Sequence, residues 1–502
     1  MLLFMTFTNL YKTGLSVGLL ALSLAACQEP ALDQTQPAVS VPAQLDPTGG
    51  TWRTVLLKSA GDIPVPAPAA VSSAAYQAEL ADLKTLVAQA DGEQQKAATY
   101  WASGGVLRWN QLARLLVAKY NVAPIVGSAF DPTTPFANPP FAARAYALLS
   151  VAQYDALVTV WKAKQQYNRP SPAKQGVSTR VPVADLPSYP SEDAAVAEAS
   201  CQVLAFLFPK EAEWLKARAA EHKNSRLWAG AAVRSDLSGG ESVGATVATR
   251  VIAYAKTDRM AAARDVNNTW KTVEAYDAGA NWKSLESPSR APMLPLFGKV
   301  KTWYDSVAIF RYIPGPPPKA DSPAFRADIA NVRRISDNRT REQWRIAEYW
   351  NDGAGTYTPP GHWNAIAEDL IRKASLNELR TARALALMNR AIMDAGVACW
   401  HTKFKYFTAR PTQVDPNITS STGIPNFPAY TSGHSTFSAA GATVLGYLFP
   451  TEAARLMAQA EEAGMSRIYG GIHYMFDNLE GRRCGQGVGN VAISWAKTDG
   501  AN

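Results

Sequence analysis

The sequence predicts an all-α chain of two pseudo-repeated helical bundles packed together, with a Pro-rich connection between them. Three observations predict it. Hydrophobic residues make up 47% of the 502 and charged residues 18%, with 14 Trp, 19 Tyr and 16 Phe, enough apolar material for a large core and against disorder over most of the length. Apolar residues recur at helical spacing in segments dominated by Ala, Leu, Met, Glu and Arg, and Pro and Gly separate these segments. The chain also repeats itself at long range.

The repeat fixes the organisation. Ala143-Arg144-Ala145-Tyr146-Ala147-Leu148, Asp155-Ala156 and Trp161 reappear as Ala382-Arg383-Ala384-Leu385-Ala386-Leu387, Asp394-Ala395 and Trp400, at an offset of 239. Pro187-Ser188-Tyr189, Ser225-Arg226 and Ala255-Lys256-Thr257-Asp258 reappear as Pro428-Ala429-Tyr430, Ser466-Arg467 and Ala496-Lys497-Thr498-Asp499, at an offset of 241. A period near 240 is too long for a solenoid and implies two similar bundles. Apolar spacing predicts helices over 77–91, 94–119, 139–165, 192–208, 210–222, 241–256, 340–350, 363–373, 376–400, 434–448, 451–463 and 485–496. Residues 49–58 read as a short strand. The predicted divisions are a leader over 1–27, a tether and N-terminal helical region over 28–135, a degenerate non-catalytic bundle over 136–260, a connection over 261–339 containing Pro314, Pro316, Pro317 and Pro318, and a catalytic bundle over 340–502.

The leader has one Lys, no acid, and an apolar run from Leu15 to Ala26 ending in Leu24-Ala25-Ala26-Cys27. That pattern reads as a secretory signal. Its end resembles the bacterial lipobox, which implies an exported lipoprotein with a lipid on Cys27, facing the periplasm or exterior, the lipid being its only membrane contact. Nothing else supplies 18 uncharged apolar residues for a span. Cys201, Cys399 and Cys484, in apolar or Gly-rich settings, read as buried free thiols. The net charge of +8 comes without a Lys/Arg block, so it indicates a bias towards anions and no nucleic-acid partner. No CxxC and no HExxH occurs, and there are five His in all.

Anion-handling groups gather in the second copy. Lys403 and Arg410-Pro411 follow a long helix. Next comes Pro428-Ala429-Tyr430-Thr431-Ser432-Gly433-His434, where a loop turns into a helix, and then Ser466-Arg467, His473 and Asp477. Lys403, Arg410 and Arg467 supply positive charge, and the Arg forks grip paired oxygens. The Ser432 hydroxyl and Gly433 amide sit at a helix N-terminus, where the dipole favours an anion. His473 offers a ring nitrogen to the central atom, His434 is placed as acid or base opposite, and a helical 473–477 puts Asp477 one turn from His473 to orient it. In the first copy Lys164, Arg169-Pro170, Ser191 and Arg226 persist, with the Lys–Arg spacing changed. Glu192 and Asp193 replace Gly433 and His434, and Ala232 replaces His473. Two carboxylates repel an anion, so one active site is expected.

These three motifs, K-x6-R-P, an altered P-S-G-H with Thr431 in place of its Pro, and S-R-x5-H, resemble the vanadium-dependent haloperoxidase and type-2 phosphatidic acid phosphatase superfamily. The resemblance extends upstream through Tyr349-Trp350-Asn351-Asp352-Gly353 and Pro359-Pro360-Gly361-His362-Trp363, and doubled bundles are what its haloperoxidase branch implies. It implies a vanadate cofactor, at a site that phosphate can also occupy, with His473 as vanadium ligand and Lys403, Arg410, Ser432, Gly433 and Arg467 around the oxygens. Lys403, His434 and His473 are the catalytic residues it implies, with hydrogen peroxide and halide as substrates and an organic halogen acceptor as a further partner. The alternative is an acid phosphatase acting through a phosphohistidine at His473; a third is a non-catalytic oxyanion-binding lipoprotein. Trp400 and Phe427 resemble the aromatic pair beside vanadate and are halide-site candidates, core packing being the other role open to them. Asp352 is expected to pair with Arg467 or Arg410, and His362 to fix its loop. His401 is left between the halide site and solvent. His222, among charges on a helix, is expected at the surface.

Overall fold

The structure, a computed structural model, describes residues 41–125, 131–272 and 280–501. The leader, Cys27 and the start of the tether lie outside the described residues. Among the described residues there are 16 α-helices and no strand, and no helix is long and apolar enough to cross a membrane. The first half runs α1 (Ala74–Gln89), α2 (Gly92–Ala102), α3 (Gly105–Tyr120), α4 (Pro139–Tyr167), α5 (Glu192–Leu207), α6 (Ala212–Trp228) and α7 (Arg234–Thr257). A connection holding the short α8 (Ser306–Phe310) leads to α9 (Pro323–Asp337), α10 (Arg341–Tyr349), α11 (Thr358–Lys373), α12 (Glu378–Tyr406), α13 (Pro411–Val414), α14 (Gly433–Leu448), α15 (Ala453–Tyr469) and α16 (Met475–Ala496).

The long helices α4 and α12 have 29 residues each, are buried on nearly every face, and pack against one another. A helix that is apolar all round belongs in a core. Around them, α5 packs on α7 in the first half and α14 on α16 in the second. Matching contacts recur in the two halves, several of them to residues outside the segments whose sequences match. Trp101 Nε1 donates to Glu221 at 2.9 Å and Trp350 Nε1 to Glu462 at 2.8 Å. Arg226 donates to the Ala98 carbonyl at 2.8 Å and Arg467 to that of Ala347 at 2.7 Å. Buried amides link the halves: Asn110 donates to Asn364 at 2.8 Å, Asn364 to Asn389 at 2.7 Å, and Asn389 to Ser150 at 2.9 Å.

Several sequence expectations need correction. Residues 49–58 form no strand; a 3-10 turn at Gly49–Thr51 is followed by bends. The amides of Val55, Leu56 and Leu57 donate instead to the buried Asp155 carboxylate at 2.7, 2.8 and 3.1 Å. Asp394 holds Trp303 and Tyr304 in the same way, at 2.9 Å each. The single helix expected over 94–119 breaks at Gly104, whose φ of +116° suits glycine. The segment read as a connection contains α9, whose Ile329, Val332 and Ile335 pack with Ile418 and Ile468; Pro323 starts this helix behind the Ser322 cap. Finally, α7 and α16 begin earlier than expected. Their glycines lower helix propensity, but a Cβ at Gly244 would come 2.4 Å from the Ala195 carbonyl oxygen, and one at Gly485 2.2 Å from that of Thr436. Close packing against α5 and α14 overrides propensity here.

Candidate active site

The second half converges on the N-terminus of α14. Lys403 lies in the last turn of α12, Arg410 just before α13, Ser432 caps α14 with Gly433 and His434 in its first turn, Arg467 ends α15, and His473 precedes α16. Apart from His434 and Gly433, these side chains are buried. His473 is driven well below its ordinary value, first by burial and then by Arg410, Lys403, His434 and Arg467. The four groups therefore act on one imidazole, which is neutral at pH 7.

Lys403, Arg410, Ser432, Arg467 and His473 each have a definite partner. His473 Nδ1 meets Asp477 Oδ2 at 2.7 Å, so the ring donates there and presents the Nε2 lone pair. That lone pair faces Arg410 Nη1 at 2.9 Å. His473 stands outside α16, so the expected in-helix pair is a helix-start contact: Asp477 also accepts from the Tyr474 amide at 3.2 Å. Arg410 donates further to the carbonyls of Phe427 and Ile472. Lys403 Nζ donates to the carbonyls of Pro428, Ala429 and Thr431 at 2.9, 2.8 and 2.5 Å. Its three protons thus pin the loop ahead of α14, and its charge reaches the site through space. The Ser432 oxygen accepts from the Ser435 amide at 3.3 Å, leaving its proton available to a ligand.

His434 Nε2 is buried with no hydrogen-bond partner among the described residues. It lies 3.9 Å from Asp352 Oδ2, and burial and Arg467 hold it well below its ordinary value. Asp352 is not hydrogen-bonded to Arg467 or Arg410 as expected. It meets His362 Nδ1 at 3.1 Å and acts on Arg467 only through its field. Arg467 is already committed to Ser466 and the Ala347 carbonyl. His362 stacks on Trp350, ring centroids 4.4 Å apart, and its Nε2 lies 3.3 Å from the half-exposed Tyr349 hydroxyl. Tyr349 was visible only as part of a resembling motif; its contact with His362 is made by tertiary packing.

The aromatic pair belongs to the same wall. Trp400 and Phe427 have ring centroids 5.2 Å apart, and Lys403 Nζ and Arg410 Cζ each lie 5.0 Å from the Phe427 centroid. Trp400 also donates to the Met293 carbonyl and packs on Phe437, so it serves the core as well. His401 turns away to Phe310, 5.5 Å between centroids. His222 is not at the surface. It is fully buried, accepts from Trp109 Nε1 at 3.1 Å, and stacks on Trp101. Leu215, Ala219, His222 and Arg226 share a buried helical face, a spacing the surrounding charges obscured. Cys201, Cys399 and Cys484 are buried free thiols.

Burial pushes Lys403 down to about 7 and both Arg410 and Arg467 down to about 10. Three desolvated cations, one orphaned imidazole nitrogen and a helix N-terminus are an environment that an oxyanion relieves. Among the described residues no three His, Cys, Asp or Glu side chains could hold a bare metal ion. One imidazole nitrogen among cationic and N–H donors is a set that fits a tetrahedral oxyanion, vanadate and phosphate alike. Burial also raises Asp477 to about 7. As pH rises through this range Lys403 loses its positive charge and Asp477 gains a negative one, and both changes oppose an anion. Tungstate stays a dianion over pH 6–9. Its affinity, followed by calorimetry, falls as pH rises, by up to about tenfold per pH unit for each linked proton. A flat profile would show that neither group faces the anion.

Residues 384–501 match the family model of the PAP2 superfamily, a segment that contains every motif from Lys403 to Asp477. The vanadium chloroperoxidase of Curvularia inaequalis is 24% identical over 370 residues, 61% of this chain and 60% of that protein. The crystal structure of the first bacterial vanadium-dependent iodoperoxidase aligns with a TM-score of 0.57 at 22% identity, covering 77% of this chain and 96% of its own. A holo-type bacterial vanadium-dependent chloroperoxidase aligns with a TM-score of 0.52 at 13% identity, covering 76% and 97%. The all-α haloperoxidase fold is shared with both.

Proposed function

We propose that this chain is a vanadate-dependent haloperoxidase that oxidises halide with hydrogen peroxide to hypohalous acid. The observation that carries this reading is the buried excess of positive charge around a neutral His473, walled by Trp400 and Phe427. Bound vanadate supplies a Lewis-acidic centre that activates hydrogen peroxide. His473 would hold that centre through Nε2 once Arg410 Nη1 releases it, while Asp477 keeps the opposite nitrogen protonated. Arg410, Arg467 and Lys403 would neutralise the oxygens, and Ser432 and the Gly433 amide would donate to them. His434, neutral and unpartnered on Nε2, is placed to take a proton from incoming peroxide, and Asp352 stands 3.9 Å away to stabilise the imidazolium that forms. The half-exposed Tyr349 lies at the outer end of the His362–Asp352 pair.

One observation supports a second reading. An imidazole oriented by a carboxylate at 2.7 Å is also a competent nucleophile, so His473 would serve a phosphomonoesterase through a phosphohistidine, with His434 protonating the leaving oxygen. The deciding experiment loads the apoprotein with vanadate and measures peroxide-dependent halide oxidation, beside phosphomonoester hydrolysis without vanadate. Halide turnover that phosphate suppresses is expected. Ester hydrolysis with no halide oxidation reverses the assignment. Export as a lipoprotein is part of the same proposal. Its support is the Leu24-Ala25-Ala26-Cys27 ending, and a palmitate label incorporated by the full-length chain and lost on Cys27→Ala tests it.

A further inference from the structure

The first half contains a cavity of about 270 Å³ where the second half builds its oxyanion site, lined by Lys164, Glu192, Asp193, Arg226 and Ala232. Ala232 leaves open the space that His473 fills in the other half. Glu378, from the first turn of α12, enters this cavity from the second half. The cations here are already engaged. Lys164 lies 2.8 Å from Glu192 and donates to the Pro187 carbonyl. Arg226 is tied to Ser225 and the Ala98 carbonyl, and its field, after burial which opposes it, helps hold Asp193 below the usual carboxylate range. Asp193 also meets His222 at 3.0 Å.

Among the described residues Glu378 has no cationic partner. Its Oε2 accepts from the Val106 amide at 2.8 Å, and among the described residues no donor reaches Oε1. The second oxygens of Glu192 and Asp193 are free in the same sense. The cavity thus sets three carboxylates against two cations, Lys164 and Arg226, and leaves three carboxylate oxygens unused beside the spare donors of Ser191, Lys164 and Arg226, the last only 5% exposed. Trp101 and Leu107 add apolar wall. An oxyanion would meet the carboxylates where the helix dipole of α5 is already satisfied.

We propose that this cavity is a second, non-catalytic binding site for a small organic ammonium ion, recognised through its N–H groups by Glu378, Asp193 and Glu192. The third carboxylate supplies the charge that Lys164 and Arg226 do not cancel, and a primary ammonium brings the three donors that the free oxygens lack. Burial raises Glu378 to about 7, with Asp193 and Glu192 adding to the rise and Arg226 opposing it. A cation favours the ionised form, so binding tightens as pH rises through this range and releases protons. The other ionisable groups at the cavity are Lys164, the buried His222 beside Asp193, and Arg372, which is fixed by Glu368 and the Ser103 carbonyl.

The test is calorimetric titration of the full-length protein with n-butylammonium at fixed NaCl, alongside tetramethylammonium and inorganic phosphate. Saturable n-butylammonium binding is expected. It should weaken at least about tenfold in Glu378→Gln, which keeps an acceptor for Val106, and vanish in Ala232→Phe, which fills the space. It should persist in His473→Ala, which separates this site from the oxyanion site. Tetramethylammonium, without N–H, should bind far more weakly. A 3-bromopropylammonium soak locates the ligand by its anomalous signal. No saturable binding, equal binding of tetramethylammonium, indifference to both cavity substitutions, or phosphate bound here instead would each overturn the proposal.

Discussion

Replacing His473 with alanine is expected to lower either activity by about a thousandfold or more, with little loss of fold. The other half shows why the fold tolerates it. Ala232 occupies the corresponding place, and the partner of Asp477 there, Asp236, is held by Arg169 through Nε at 3.1 Å and through Nη2. With the imidazole gone, Arg410 should swing from its His473 contact onto Asp477 and copy that pair. The variant should therefore melt near the parent temperature, bind tungstate weakly and oxidise no halide. Retention of full activity by a folded variant would remove His473 from the chemistry.

The largest expected loss of stability comes from Arg383→Ala. Arg383 and Asp499 form a bidentate pair at 2.7 and 3.1 Å, with side chains 8% and 0% exposed. Truncating the arginine strands a carboxylate in the core, which costs about 3–5 kcal/mol. Urea unfolding should show this as a lower midpoint at unchanged slope. Replacing both partners, Arg383→Met with Asp499→Leu, should recover most of the loss, because what destabilises is the unpaired ion. Equal instability of the single and double variants would mean that packing of the arginine stem dominates.

Much of this was legible in the sequence. Long helices such as α4 and α12 announced themselves because apolar spacing persisted over many turns. The motif residues were legible because a cluster of Lys, Arg, Ser, Gly and His at a loop-to-helix junction has few structural uses. Other features escaped because they depend on partners distant in the chain. The glycines of α16 signal a helix only once the carbonyl of Thr436 is known to press on them. Nothing local shows that the Lys403 protons are spent on three carbonyls, or that Asp352 belongs to His362 and not to an arginine. His222 misled because the charges beside it on α6 face outward while its own side is buried.

The amide chain from Asn110 through Asn364 and Asn389 to Ser150 bears on why a bundle lacking both imidazoles stays attached to its neighbour. Two of its links cross the boundary between the halves, while Asn364 and Asn389 also bond each other within the second. Separating the halves would bare the long flank of α12 and leave Asn364 without the Asn110 donor and Asn389 without the Ser150 acceptor, a cost of about 1–3 kcal/mol for each buried group left unpaired. The first half thus completes hydrogen bonds on helices that the second half uses to position its own site.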